Sequence, residues 1–332
     1  MAIAIFVGGC LFYWRGINIP AAKNRPDVNF FVSKGEGVKQ IAGNLSAAGL
    51  IKSKFYFEAY VWQKNAESRF QAGEYALNPM LSIKEIVKIL TKGEVAGRER
   101  EIKIIEGWNI NDIDKYLAEN KIATAGGFAK LAKAKTGEWK PRIAKADFLA
   151  DAPASATLEG YLFPDTYRVF KDATAADIIA KLLNNFGEKL TAEMKSEIRK
   201  QGKTIYEIIT MASLLEKEVK TEEDMKIVSG IFWDRIKNGQ PLESCATLAY
   251  ILGVNKPQYS MEDTKIDSPY NTYQNRGLPP GPIANPGLKA IRAAIYPVFT
   301  DYNYFLSDPE TGKTIFSKTY AEHTQNKVKY LR

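Results

Sequence analysis

The chain has one histidine, His323, and two cysteines, Cys10 and Cys245, among its 332 residues. A zinc site of the ordinary Cys/His kind needs three or four such ligands, so no metal centre of that type is expected. A Ser-His-Asp or Cys-His relay would have to use His323, and no G-x-S-x-G elbow occurs. Neither the G-x-x-x-x-G-K-[ST] nor the G-x-G-x-x-G phosphate loop is present, so no nucleotide cofactor is expected either. Chemistry by carboxylates, Lys or Tyr remains, or no chemistry at all. Hydrophobic residues make up 45% and charged residues 25%, which excludes a disordered chain and a multi-span membrane protein. Acidic residues are in the minority, 38 against 46 Lys and Arg, giving a net charge of +8 that favours anionic partners without choosing among them.

Charge is also missing from the N-terminus. Residues 1–14 read MAIAIFVGGCLFYW. As a helix they reach about 21 Å, short of a hydrocarbon core of about 30 Å. The favoured reading is the outer end of a membrane anchor over residues 1–17, with Tyr13, Trp14 and Arg15 at the interface and the rest of the chain outside the cytoplasm. A lipoprotein box at Val7-Gly8-Gly9-Cys10 competes less well, because apolar residues continue past it and no basic segment precedes it. A buried core helix fits poorly at a terminus followed by the polar linker 18–27. With Cys10 in lipid, Cys245 has no intrachain partner.

The fold class expected is α+β. Residues 28–95 read as a small module: a strand at Val28–Val32, a helix over Val38–Ala48, a second over Lys54–Lys64, a strand at Gly73–Leu77 and a third helix over Ser82–Thr91, with Ser82 and Glu85 as a capping box. Residues 96–150 read as a second small α+β segment. There Glu106-Gly107 echoes Glu36-Gly37, and Ile113, Leu117 and Ile122 echo Ile41, Leu45 and Leu50. A domain boundary is placed near the Lys-, Ala- and Pro-rich stretch 136–153, and residues 151–332 form a larger mixed α/β domain. In it, helices are expected over Asp177–Arg199, Thr204–Val219, Glu222–Lys237 and Ser244–Leu252. Ser268–Pro286 cannot be regular, and Asn303–Ser307 with Lys313–Ser317 reads as a hairpin.

The helix Thr204–Val219, TIYEIITMASLLEKEV, carries the functional argument. With Ile205 as the origin and about 100° per residue, Ile209 falls at about 40°, Ala212 at about 340° and Leu215 at about 280°. Glu207 falls at about 200° and Glu218 at about 220°, the side expected to face solvent. Glu216 falls at about 20°, inside the apolar stripe. A carboxyl that loses water holds its proton more tightly, which is what a general acid near neutrality needs. The bland alternatives are an irregular helix or a buried Lys or Arg partner for Glu216. Glu159 is a candidate second carboxylate or else a surface residue, and Asn271 and Tyr273 are candidate sugar-binding side chains, though exposed loops often hold such residues.

At these residues a family becomes visible. LEGYLFPDTY at 158–167, ASLLEKEV at 212–219, SPYNTY at 268–273, GLPPGPIANPG at 277–287 and FSKTYAEH at 316–323 together resemble the endolytic murein transglycosylases, the YceG-like family. The resemblance runs from the anchor to about Tyr330. It implies a membrane anchor, a LysM-like module over 28–95 and a catalytic domain facing the cell wall. It implies that Glu216 is the catalytic acid and that Glu159, Asn271 and Tyr273 line the glycan cleft. It implies non-hydrolytic cleavage between N-acetylmuramic acid and N-acetylglucosamine, giving 1,6-anhydro ends, with no cofactor or metal. The expected partners are peptidoglycan strands, their synthases and the membrane, and not nucleic acid. Two positions depart from the family pattern. Cys245-Ala246 stands where members often have Asp-Pro, and Thr314 stands where many have His. A lysozyme-type hydrolase using Glu159 and a non-enzymatic wall-binding scaffold are the rival readings.

Overall fold

The computed structural model describes residues 12–22, 27–92, 99–135, 146–256 and 258–331. Most of the expected anchor, including Cys10, and the stretch 136–145 lie outside the described residues. Among those described, no helix is long and apolar enough to cross a membrane. The chain divides into two compact units, Met1–Glu101 with Arg168–Asp172, and Ile102–Tyr167 with Ala173–Arg332.

In the smaller unit, residues 12–18 are helical (α1). β1 (Val28–Val32), α2 (Val38–Ala47), α3 (Lys54–Gln63), β2 (Gly73–Leu77) and α4 (Ile83–Lys92) follow. β1 and β2 pair antiparallel with Val28 opposite Leu77 and Val32 opposite Gly73. Strand alternation turns Phe30 and Val32 inward and leaves Phe31 outside. The core gathers Val32, Ile41, Leu45, Leu50, Phe57, Val61, Tyr75, Leu77, Ile86 and Leu90. Gly16 lies so close to the Tyr56 ring that any side chain there would strike it, which is how α1 seats against α3.

The larger unit is mainly helical. The division falls within β3 (Glu99–Lys103) and β4 (Thr166–Phe170), which pair with each other. α5 (Ile110–Glu119), α6 (Gly127–Ala132), α7 (Ala175–Lys189), α8 (Ala192–Lys200), α9 (Ile205–Glu218), α10 (Glu222–Lys237), α11 (Cys245–Leu252), α12 (Leu288–Ile295), β5 (Tyr304–Ser307), β6 (Thr314–Ser317) and α13 (Tyr320–Tyr330) complete it. Helix α9 is the hub, in contact with α8, α10, α11 and α12.

Three expectations change. The mixed α/β domain reduces to helices with two-stranded pairs, because among the described residues no strand exceeds five residues and no sheet exceeds two strands. The single helix expected over Asp177–Arg199 is two helices. Thr191 takes an extended conformation and its hydroxyl accepts from Met194 N–H, which starts α8 afresh. Residues 102–135, read as a separate segment, belong to the larger unit, where α6 packs on α7.

Candidate active site

Helix α9 begins at a capping box in which Thr204 and Glu207 satisfy each other's backbone N–H groups. Asp151 adds a second anchor by accepting from Ile205 N–H at 2.6 Å. From Ile208 to Leu215 every residue is buried, because neighbours cover the helix on several sides. The expected solvent side therefore exists only at Glu207. Glu218 is half-buried and accepts from the Ser244 hydroxyl, and burial raises its pKa.

The irregular segment 277–287 lies along α9 in three rungs. Tyr206 OH donates to the Pro280 carbonyl at 2.8 Å, Ile283 N–H donates to Ser213 Oγ at 3.0 Å, and Gly287 N–H donates to Glu216 Oε2 at 2.9 Å. Glu216 is thus half-buried at the last rung. Burial is the main cause that pushes its carboxyl up to about 7. The Glu106 carboxylate pushes the same way, while the Gly287 N–H, Lys217 and Lys289 oppose it. Glu106 lies against Gly287, where the hydrogen on Cα leaves the only room for it. The two carboxyl groups therefore flank one glycine.

Asn285 holds this arrangement. Its Oδ1 accepts from Gly160 N–H and Leu162 N–H, each at 2.9 Å. Its Nδ2 donates to the Trp108 carbonyl at 2.9 Å and to Glu159 Oε1 at 3.0 Å. Its backbone carbonyl accepts from Gly107 N–H at 2.9 Å, and its N–H donates to the Trp108 carbonyl at 2.8 Å. One fully buried side chain thus joins the turn at Glu106–Trp108, the segment at Glu159–Leu162 and the strap on α9. Gly160, at φ 87°, permits the close approach: a side chain there would meet Ile209 and Pro282.

Of the residues singled out from the sequence, Tyr273 lines an opening, Glu216 is half-buried beside Gly107 and Gly287, and Glu159 and Asn271 lie inside the protein. Glu159 is buried, accepts from Ile110 N–H at 3.1 Å, and is driven to about 8 chiefly by loss of water. Asn271 donates to the Thr264 and Ile266 carbonyls at 3.1 and 2.8 Å and accepts from Tyr273 N–H at 3.0 Å, so its amide shapes the loop that presents Tyr273. Tyr273 OH lies 3.1 Å from Cys245 Sγ, an exposed free thiol. Thr314 Oγ1 donates to Asp224 Oδ2 at 2.9 Å.

Lys217 lines two openings. One, of about 110 Å³, is also lined by Gly107, Asn109, Tyr250 and Ile283. The other, of about 570 Å³, is lined by Glu218, Cys245, Tyr273 and His323 among others. Reasoning from sequence did not single out Glu106, Asn285, Lys217 or Gly287. Asn285 and Gly287 sit in GLPPGPIANPG, and Glu106 in the Gly-turn echo, but their partners are visible only in three dimensions.

A half-buried carboxyl raised to about 7 has a second carboxyl group, Glu106, close by, and its neighbour Lys217 lines two openings; such an arrangement is suited to acid–base chemistry. The chain belongs to the YceG-like family, whose model matches residues 30–329. It is 34% identical over 336 residues to the endolytic murein transglycosylase of Bacillus subtilis strain 168, covering 98% of this chain and 91% of that one. It is 30% identical over 331 residues to the endolytic murein transglycosylase of Streptococcus pneumoniae strain D39, covering 93% of this chain and 59% of that longer protein. Its fold is similar to the crystal structure of a YceG-like protein from Listeria monocytogenes, with a TM-score of 0.58 and 29% identity over 91% of this chain and 99% of that one.

Proposed function

We propose that the protein is an endolytic lytic transglycosylase of peptidoglycan, with Glu216 as general acid and then general base. It is an enzyme of the lyase class, as the names of its relatives support. The observation that carries the reading is the Glu216 carboxyl, poised near 7 where α9 meets Gly287. Protonated Glu216 gives its proton to the oxygen between N-acetylmuramic acid and N-acetylglucosamine, and the N-acetylglucosamine side leaves with that proton. The C6 hydroxyl of the muramic residue attacks its own C1, and ionised Glu216 takes the hydroxyl proton. The product carries a 1,6-anhydro end and the enzyme returns to its starting protonation state. An attacking group tethered to the same ring has a large effective concentration, which lets one carboxyl do the work of two. Gly287 N–H, Lys217 and Lys289 stabilise the ionised state between the two transfers.

Tyr273 and Lys217 line the glycan cleft, while Glu159 and Asn271 support it from beneath. The chain is held at the outer face of the cytoplasmic membrane by its apolar N-terminus, residues 28–95 serve as a LysM-like module, and nascent strands near their synthases are the substrate. A second reading, hydrolysis, draws on Glu106, which flanks Gly287 opposite Glu216 and could activate water. Mass spectrometry of intact glycan treated with wild type and Glu216→Gln tests both. Anhydro ends that vanish in the variant support the proposal. Reducing ends support hydrolysis, and undiminished cleavage by the variant removes Glu216 from the chemistry.

A further inference from the structure

The smaller unit exposes large aromatic side chains where a soluble helix would carry polar ones. On α3, Phe55 is 72% and Trp62 75% exposed. With Lys54 as the origin and about 100° per residue, Phe55 falls at about 100° and Trp62 at about 80°, so they form one stripe. The buried pair Phe57 and Val61 fall at about 300° and about 340°, on the other side. The helix is therefore apolar on two faces, and only one of them has a core to enter. Tyr56, at about 200°, and Gln63, at about 180°, carry α1 beside the stripe. Tyr13 OH donates to Gln63 Oε1 at 2.9 Å, and the Tyr13 and Tyr56 rings meet edge to face at 6.1 Å. α1 adds Phe12 at 73% and Trp14 at 60% exposure. Between the two helices lies an apolar groove of about 560 Å³, with Phe12, Ile19 and Tyr56 in its walls and Arg15 and Lys52 at its edge.

We propose that this face of the smaller unit docks onto an anionic lipid surface, with Phe55 and Trp62 entering the interfacial layer. Trp and Phe are at home there, since an apolar ring can enter while the polar edge stays wet. Charge selects the kind of lipid: exposed Arg15 and Lys52 stand at the groove edge and exposed Lys54 at the start of α3, against Glu58, which flanks the stripe. Cations so placed attract acidic headgroups. The charge-free residues that precede α1 in the sequence, MAIAIFVGGCL, favour the same occupant. Docking rests on the membrane placement proposed above but on no catalytic step, so its failure would leave the proposed reaction standing.

The test places the full chain on vesicles containing phosphatidylglycerol and on vesicles of phosphatidylcholine alone, each with brominated acyl chains. Bromine quenches an indole only on close approach. The signal of Trp62 is obtained as wild type minus Trp62→Phe, which removes the other four tryptophans. The expected result is quenched, blue-shifted Trp62 emission on the acidic vesicles and weaker quenching on the neutral ones. In Phe55→Ser the docked population of Trp62 should fall about tenfold, since a ring that size removes substantial area from water. Because the Phe55 ring also meets Tyr56 edge to face at 5.7 Å, a second variant, Lys52→Glu with Lys54→Glu, checks the charge requirement without altering an aromatic. Trp62 emission that stays unquenched on both vesicles overturns the proposal. Emission that responds to soluble glycan fragments and not to lipid also overturns it, and makes the stripe a sugar-stacking surface instead.

Discussion

Replacing Glu216 by Gln should make the folded protein more stable at alkaline pH, even as it removes the proposed acid. The unfolded carboxyl titrates near 4.5 and the folded one near 7. Between those values the folded chain keeps a proton that the unfolded chain has released. The unfolded state binds fewer protons there, so the stability of the wild type falls as pH rises. The separation of about 2.5 units, at about 1.36 kcal/mol per unit, sets an upper limit of about 3.4 kcal/mol. Partial exposure of the side chain lowers this to about 2 kcal/mol. Gln has no proton to lose and its amide oxygen can still accept from Gly287 N–H. The stability of Glu216→Gln minus that of wild type should therefore be nearly flat below pH 4.5, rise through the interval and level off above pH 7. Urea unfolding of the larger unit across that range measures it, with hydrogen exchange of the α9 amides as a local check. A difference that does not vary with pH would mean that Glu216 titrates as an ordinary surface carboxyl. The site would then have no proton held in reserve, and the proposed chemistry would lose its donor.

The other predictions concern the neighbours of Glu216. Glu106→Gln removes a like charge, so the alkaline limb of the pH–rate profile should move below 7 while the rate on the acid side is kept; an unmoved limb, or loss at every pH, refutes a tuning role. Asn285→Ala strips four side-chain hydrogen bonds from buried groups and should cost about 3–5 kcal/mol in thermal or urea unfolding. Glu159, pushed to about 8, is neutral at pH 7, so Glu159→Gln should cost less than about 1 kcal/mol and Glu159→Ala about 2–4 kcal/mol. Equal losses in the two Glu159 variants would show that an ionised carboxylate is needed there.

Local signals in the sequence were read well where a local cause decides the structure. The helices expected over Thr204–Val219 and Glu222–Lys237 and the strand at Val28–Val32 are found there, because caps such as Thr204 and Thr221 and strand alternation act over a few residues. The same counting exposed Glu216 as a carboxylate out of place on its helix. It misjudged Glu218, because a wheel assumes one wet side and α9 is enclosed on several. It missed the break before α8, because Thr191 lies in a helix-like pattern and only its cap geometry reveals a new start. It could not find the role of Asn285, whose bond to Gly160 spans 125 positions, since nothing in either segment names the other. Glu106 escaped for the same reason. An exposed Glu after a strand is unremarkable until Gly287 is laid beside it.

That juxtaposition explains why an irregular strap is needed at 277–287. One carboxyl that must first give a proton and then take one works best with a pKa near the working pH, neither far above nor far below. Glu216 sits in the last turn of α9, whose unsatisfied carbonyls make the end of that helix electronegative and favour the protonated form. It also touches Gly287, the residue that caps the start of α12, where free N–H groups favour the ionised form. Burial and Glu106 add to the first influence, and Lys217 and Lys289 add to the second. A regular helix or strand at 287 would have used that N–H in its own ladder and left the carboxyl without its counterweight. An extended Gly-Pro segment leaves the N–H free, and glycine leaves space for Glu106 on the other side. The value near 7 is thus set chiefly by burial and held back by the Gly287 N–H, and Asn285 keeps that N–H in place by tying the strap to the turn that carries Glu106.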